Sequence, residues 1–213
     1  MTDTKINIAQ RAFALFLRYG IKSVTMDDIA RELAMSKKTL YQFFENKNDL
    51  LTQIMKMEEE HDRVCTEHIA ATTENAIDEV MGYARHGMEE MAKTMSAHSA
   101  IYDLQKYYRE IWDNMEKRMN DRIYTATKTN IERGIREGLY RPEVDADVIA
   151  KLYVSKLMSL IDDSVFPFDQ YHRQRLFKSY LDYHIHGIAT PEGLALMEEK
   201  WKTLTTEQNF AKP

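Results

Sequence analysis

The chain has 213 residues, 44% of them hydrophobic and 30% charged, which is enough for one substantial core or for a small domain joined to a larger one. With seven Gly and four Pro it is poor in turn residues, and few runs show the alternation that strands need, so the expected fold class is all-α. The net charge of −5 by itself argues against a nucleic-acid partner; yet up to Lys47 eight Lys/Arg face five Asp/Glu, a surplus of +3 that leaves −8 for the rest, a basic head on an acidic body.

Residues 5–19 place Ile8, Ala12, Leu15, Phe16 and Tyr19 at helical spacing, and Gly20 ends that helix. Thr25 is placed to cap a short helix with Met26, Ile29, Ala30 and Leu33 on its inner face and Asp27 and Asp28 in its first turn, where they complement the dipole. After Ala34 and Met35, Ser36 is placed to cap a third helix that carries Leu40, Phe43 and Phe44 inward. Two short helices after a longer one make a three-helix head, with a helix-turn-helix over residues 25–44.

Asn46 is placed to cap a helix over 47–71, whose stripe is Leu50, Leu51, Ile54, Met57, His61, Val64, Cys65 and His68. Further helices are expected over 74–96, 99–107, 109–137, 143–164, 168–187 and 191–203, with the residues from about 205 onward frayed. Gly138 and Pro142 close the helix over 109–137, Pro167 separates the next pair, and Pro191 opens the last, where a missing N–H costs little. The expected functional division is 1–47 and 48–213.

The third helix carries the chemistry of the head. With Leu40, Phe43 and Phe44 turned inward, Lys37, Lys38, Thr39, Tyr41 and Gln42 are left to face out. Lysines, a hydroxyl, a phenol and an amide suit phosphates and base edges in a major groove. Thr25 and Lys47 stand at helix N-termini, where backbone N–H groups favour phosphate.

Over its first fifty residues the chain resembles the DNA-binding domain of the TetR family of bacterial regulators, through Ile8, Ala12, Leu15, Phe16, Gly20, Thr25, Ile29, Ala30, Ser36, Thr39, Leu40, Tyr41, Phe44, Lys47 and Leu50. The resemblance implies phosphate contacts by Thr25, Tyr41 and Lys47, with Ser36 capping a recognition helix on which Lys37, Lys38, Thr39 and Gln42 lie. It implies a homodimer through about 143–187, a near-palindromic operator in double-stranded DNA, and a small-molecule effector whose binding releases a repressor from that operator. Three positions depart from the family pattern. Ala34 stands where Gly is frequent, Phe43 where a phosphate-contacting Tyr or His is frequent, and Lys38 where a small residue is frequent.

Tyr102, Tyr107, Tyr108 and Trp112, with His68, Met91 and Met95, are the candidate wall of the effector pocket, and Met88 and Met115 add adaptable apolar surface. His61, Cys65 and His68 share one side of a helix at spacing that suits zinc or copper, but the expectation is plain stripe packing and no metal. His184 and His186 point in different directions and are read as packing or interface residues. The carboxylate runs at Glu58-Glu59-Glu60, Glu89-Glu90 and Asp162-Asp163 diverge around their helices, and no Ser-His-Asp order, glycine-rich phosphate loop or paired Cys motif is present, so neither an enzyme nor a cofactor is expected. The single Cys65 excludes an internal disulfide framework. No run of about 18 apolar residues offers a membrane span. Asp3, Asn7 and Gln10 interrupt any signal-peptide pattern, so a cytoplasmic protein is expected. The rival reading is a helical metal- or ligand-binding protein whose head does not read DNA.

Overall fold

A computed structural model describes residues 3–95, 98–160, 162, 164–167 and 169–207, without the side chains of 91–98 and 203–207. The described residues form ten helices: α1 (Asp3–Tyr19), α2 (Met26–Glu32), α3 (Lys37–Tyr41), α4 (Lys47–Thr72), α5 (Ala76–Met95), α6 (His98–Tyr107), α7 (Arg109–Arg136), α8 (Ala146–Ser159), α9 (Arg173–Ile188) and α10 (Pro191–Glu207). Their one β-type pairing is an isolated bridge between Tyr140 and Ala189. No helix among them is long and apolar enough to cross a membrane.

The elements follow the expected order, and the differences at their ends have local causes. α5 starts at Ala76 because the Asn75 side chain takes the Asp78 N–H at 2.9 Å. α8 starts at Ala146 because Asp145 accepts from the Asp147 and Val148 amides at 3.0 and 3.1 Å. It ends at Ser159, short of the expected 164, and beyond it the Asp162 carboxylate draws the Ser164 amide at 2.9 Å into a turn. α9 begins at Arg173 rather than 168, because the Gln170 and Tyr171 amides turn back onto the Pro167 carbonyl at 3.1 and 3.0 Å. α10 continues to Glu207, past the expected fraying point, and 208–213 lie outside the described residues.

The chain divides into two compact units. One is Met1–Val64 with Ala92–Met119, the other Cys65–Met91 with Asn120–Pro213. This is a different division from the functional boundary expected after residue 47, since α4, α5 and α7 each pass from one unit to the other.

The first unit is organised around Ile8, Phe16, Ile29, Leu40, Phe44, Leu50, Leu51 and Ile54, all at 1% exposure or less. Each such side chain contributes about 1.5–3 kcal/mol by leaving water. Ala100 and Leu104 of α6 join the same cluster, and Phe43, Tyr108, Trp112 and Met115 pack against it half-buried. Gly20 has φ +83°, and a Cβ there would stand 2.6 Å from Ser99 Oγ, so the helix can stop here and α6 can approach only because the residue is glycine.

The second unit has its own core, from Ile77 and Met81 of α5 through Ile131 and Tyr140 to Phe177, Leu181 and Ile185 of α9 and Met197 and Trp201 of α10. A polar network ties the C-terminal turns of α7 to the start of α5. Buried Asn130 donates to the Ala76 carbonyl at 2.8 Å and accepts from the Tyr140 hydroxyl at 3.0 Å. Glu137 takes the Ala76 amide at 2.7 Å, and Arg133 donates to Glu79 at 2.9 Å and to the Thr73 carbonyl at 3.0 Å. The Tyr140 ring lies where Gly134 has no side chain, since a Cβ there would sit 2.1 Å from it.

Candidate nucleic-acid interface

The head is held by caps and short polar ties. Thr25 closes a reciprocal capping box with Asp28: its hydroxyl accepts the Asp28 amide at 3.2 Å and donates to Asp28 Oδ2 at 2.6 Å, while that carboxylate takes the Thr25 amide at 2.9 Å. The hydroxyl bond holds the Asp28 carboxyl below its usual range. Ser36 caps α3 by accepting the Thr39 amide at 3.0 Å, and the two hydroxyls bond at 2.7 Å. Asn46 caps α4 through the Asp49 amide at 2.9 Å. Between α2 and α3 the Ala34 backbone is left-handed, with φ +51°, so the turn does accept a Cβ there, under strain. The Lys37 ammonium crosses from α3 to Asp27 of α2 at 2.7 Å, which raises its pKa. Arg11 of α1 reaches the Glu32 carbonyl at 2.8 Å.

These ties sort the expected DNA-binding set. Thr25, Ser36 and Thr39 use their hydroxyls in caps. Lys37, Lys38, Tyr41 and Gln42 are exposed along α3 and its C-cap, above buried Leu40 and Phe44. Phe43 is half-buried against the core, as its spacing predicted. Lys47, at the N-terminus of α4, turns partly inward: its ammonium donates to the Ile21 carbonyl and lies 5.7 Å from the Phe16 ring centroid. Burial pushes its pKa down, against the pull of Asp103 and Asp28.

The candidate effector residues belong to both units. Within the first unit, Tyr102 and Tyr107 are exposed, and their hydroxyls accept from Lys106 at 2.6 Å and Lys22 at 3.1 Å. Tyr108 and Trp112 instead pack against the head's core. His68 is exposed on α4, Met88 belongs to the core of the second unit, and the Met91 and Met95 side chains lie outside the described residues. The stripe of α4 is buried only at Leu50, Leu51, Ile54 and Met55. Further along, Val64 is 52% exposed, and His61 and His68 are exposed with it, which corrects the expectation of a packed stripe. No group of three His, Cys, Asp or Glu gathers as a metal site among the described residues.

Two residues that sequence reasoning passed over matter here. Asp103 of α6 is buried and accepts the Lys22 amide at 2.8 Å, fixing the turn between α1 and α2. The Lys22 side chain stays exposed. A carboxylate at a helical position gives no sign in sequence that its partner is a backbone amide 81 residues away.

A three-helix head whose capped third helix turns lysines, a phenol and an amide outward is a helix-turn-helix DNA-binding domain, and the protein that carries it is a transcriptional regulator rather than an enzyme. Residues 8–54 match the family model described as bacterial regulatory proteins, tetR family. The HTH-type transcriptional regulator YhgD of Bacillus subtilis is 27% identical over 165 residues, covering 72% of this chain and 82% of YhgD. A transcriptional regulator from Saccharomonospora viridis, solved in complex with choline, is similar with a TM-score of 0.72 at 18% identity, over 89% of this chain and 100% of that one. One from Cytophaga hutchinsonii is similar with a TM-score of 0.70 at 17% identity, over 88% of this chain and 100% of that one. At such identities the structural likeness establishes the fold. With residues 8–54 matched, this chain carries the DNA-binding domain of the TetR family of transcriptional regulators.

Proposed function

We propose that this regulator is a homodimeric repressor that binds a near-palindromic operator and is released by a small-molecule effector. The observation that carries the reading is the outer face of α3, where Lys38, Tyr41 and Gln42 project from a helix anchored by Leu40 and Phe44. Tyr41, Thr25 and Lys47 contact phosphates, and Lys37, Lys38, Thr39 and Gln42 lie along the groove. Thr25 reaches phosphate by turning its hydroxyl hydrogen away from Asp28, and Lys47 with the ammonium hydrogens that Ile21 does not use.

The dimer forms through 143–187. Exposed Val148 and Leu152 on α8 and Tyr183 on α9 support this, because a two-fold partner would cover them. The effector acts on the α6–α7 aromatic segment, Tyr102 to Trp112, and the choline bound to a protein of this fold supports a small molecule as its class. Work on chromosomal DNA puts the protein in the cytoplasm.

Gel-shift titration on operator and non-operator duplexes tests the reading. Tyr41→Ala and Lys47→Ala lower affinity for both duplexes alike and leave the dimer intact, and binding weakens steeply with salt. Full affinity in both variants would remove the proposed phosphate roles.

A further inference from the structure

We propose that Lys22, on the turn between α1 and α2, and Lys106, on the last turn of α6, form a binding site for an oxyanion, a phosphate or carboxylate group. The Lys22 ammonium donates to the Tyr107 hydroxyl at 3.1 Å and lies 4.2 Å from that ring's centroid. The Lys106 ammonium lies 5.4 Å from the same centroid and donates to the Tyr102 hydroxyl at 2.6 Å. Two cations therefore meet at one phenol, and both raise its acidity: the Tyr107 phenol is held below its usual range first by the Lys22 bond, then by the charge of Lys106.

All four side chains are exposed, and among the described residues neither lysine is in a salt bridge. Asp103 does not close the site. It is buried, and its Oδ2 takes the Lys22 amide, so it fixes the backbone beneath the ammonium. The phenols supply neutral acceptors that hold the ammoniums together without discharging them. The pair gathers positive charge at one point of a chain whose net charge is −5. An oxyanion between the two ammoniums replaces like-charge repulsion with charge-assisted hydrogen bonds.

Tyr102 and Tyr107 thus present cations where an apolar effector would need bare rings. The inference rests on the regulator reading above only for the two sources of the anion, a free anionic effector or a backbone phosphate of bound DNA. In either case the ligand joins the turn that leads into the helix-turn-helix to the end of α6.

The test uses the full chain, with inorganic phosphate as the probe in calorimetric titrations at constant ionic strength, and a non-operator duplex across a salt series. Saturable phosphate binding that Lys22→Gln and Lys106→Gln each weaken about tenfold, with an unchanged DNA salt slope, identifies a site for free anions. No saturable phosphate binding, but a salt slope that falls by about 1 for each cation removed from the DNA, identifies backbone phosphate. Wild-type behaviour of both variants in both arms overturns the proposal. Tyr107→Phe keeps both charges but releases Lys22, and it weakens whichever binding is seen; thermal unfolding confirms that each variant is folded. If the wild type binds no DNA at all, the regulator reading fails, and the phosphate arm alone decides the site.

Discussion

The outer face of α3 and the face shared by α8 and α9 are both open to solvent, for opposite reasons. On α3 the open side chains are Lys37, Lys38, Tyr41 and Gln42, all with polar tips, above the buried anchors Leu40 and Phe44. On α8 and α9 they include Val148 at 48% exposure, Leu152 at 46% and Tyr183 at 67%. The two helices present one surface, since the Lys156 ammonium of α8 lies 4.8 Å from the Tyr183 ring centroid. A polar face is complete in water and waits for a charged ligand. An apolar face leaves about 25 cal/mol per Å² ungained until something covers it. The first therefore reads as a binding surface of the single chain, and the second as half of an interface.

Leu152→Glu sets the two faces apart most sharply. In a two-fold interface the carboxylate would be buried near its own copy, a cost of about 3–5 kcal/mol for an unpaired buried charge. Light scattering should show the dimer lost at concentrations where the wild type is dimeric, with far-UV circular dichroism unchanged. DNA affinity falls with it, because one head reads only one half-site. An intact Leu152→Glu dimer would move the interface elsewhere.

The complementary change is Lys38→Ala on α3. It leaves the dimer intact, weakens DNA binding by about 1–3 kcal/mol if Lys38 reads a base edge, and does so more for the operator than for a random duplex. If operator and random duplex suffer equally, Lys38 is a phosphate contact.

Beneath the apolar face lies a titratable side chain. His184 packs on the Tyr153 ring with centroids 4.5 Å apart, and burial, then the nearby Lys156 charge, push its pKa from 6.5 to about 4. The sign follows from the native ring being harder to protonate than the unfolded one. Its contribution is fully present above pH 6.5 and is lost as pH falls toward 4. Between pH 7.5 and pH 5 the loss is on the order of 1–2 kcal/mol. His184→Phe keeps a ring against Tyr153 and removes the charge change. Its urea midpoint should therefore decline less than the wild type's over that pH range. Parallel declines would mean that the ring is hydrated in the native state.

The two faces were not equally legible in the sequence. Every cap in the head is local: Thr25 to Asp28, Ser36 to Thr39 and Asn46 to Asp49 each span three residues, so spacing alone revealed them. Leu40, Phe43 and Phe44 also showed which side of α3 turns inward. The remaining ties cross long intervals. Asp103 to the Lys22 amide, Asn130 to the Ala76 carbonyl and Arg173 to the Leu160 carbonyl join residues whose own neighbourhoods do not announce a partner. The stripe of α4 shows a second limit. Periodicity gave the face of Val64 and His68 as clearly as that of Leu51 and Ile54, but it says which side a residue is on and not whether anything covers that side. Tyr102 and Tyr107 show a third, because an aromatic pair looks the same in sequence whether its rings wall a pocket or hold lysines.

The smallest expected effect concerns the turn that aims α3. Ala34 is the one non-glycine described residue with positive φ, at +51°, and it ends the chain's passage out of α2. Holding an alanine in that region costs about 1–2 kcal/mol relative to a right-handed conformation. Ala34→Gly removes this strain but gives the unfolded chain more freedom, an opposing term of about 0.4–1 kcal/mol. The difference leaves a net gain of between zero and about 1.6 kcal/mol, at about 2–4 °C in melting temperature per kcal/mol for a chain of this size. Ala34 projects away from the core and is exposed, so no packing is lost to offset the gain. DNA affinity should stay within twofold of wild type, because the Ser36 cap and the Lys37–Asp27 pair still fix where α3 begins. A variant that melts higher but binds DNA much more weakly would show that the Cβ of Ala34, rather than the cap and the ion pair, sets the angle at which α3 is presented.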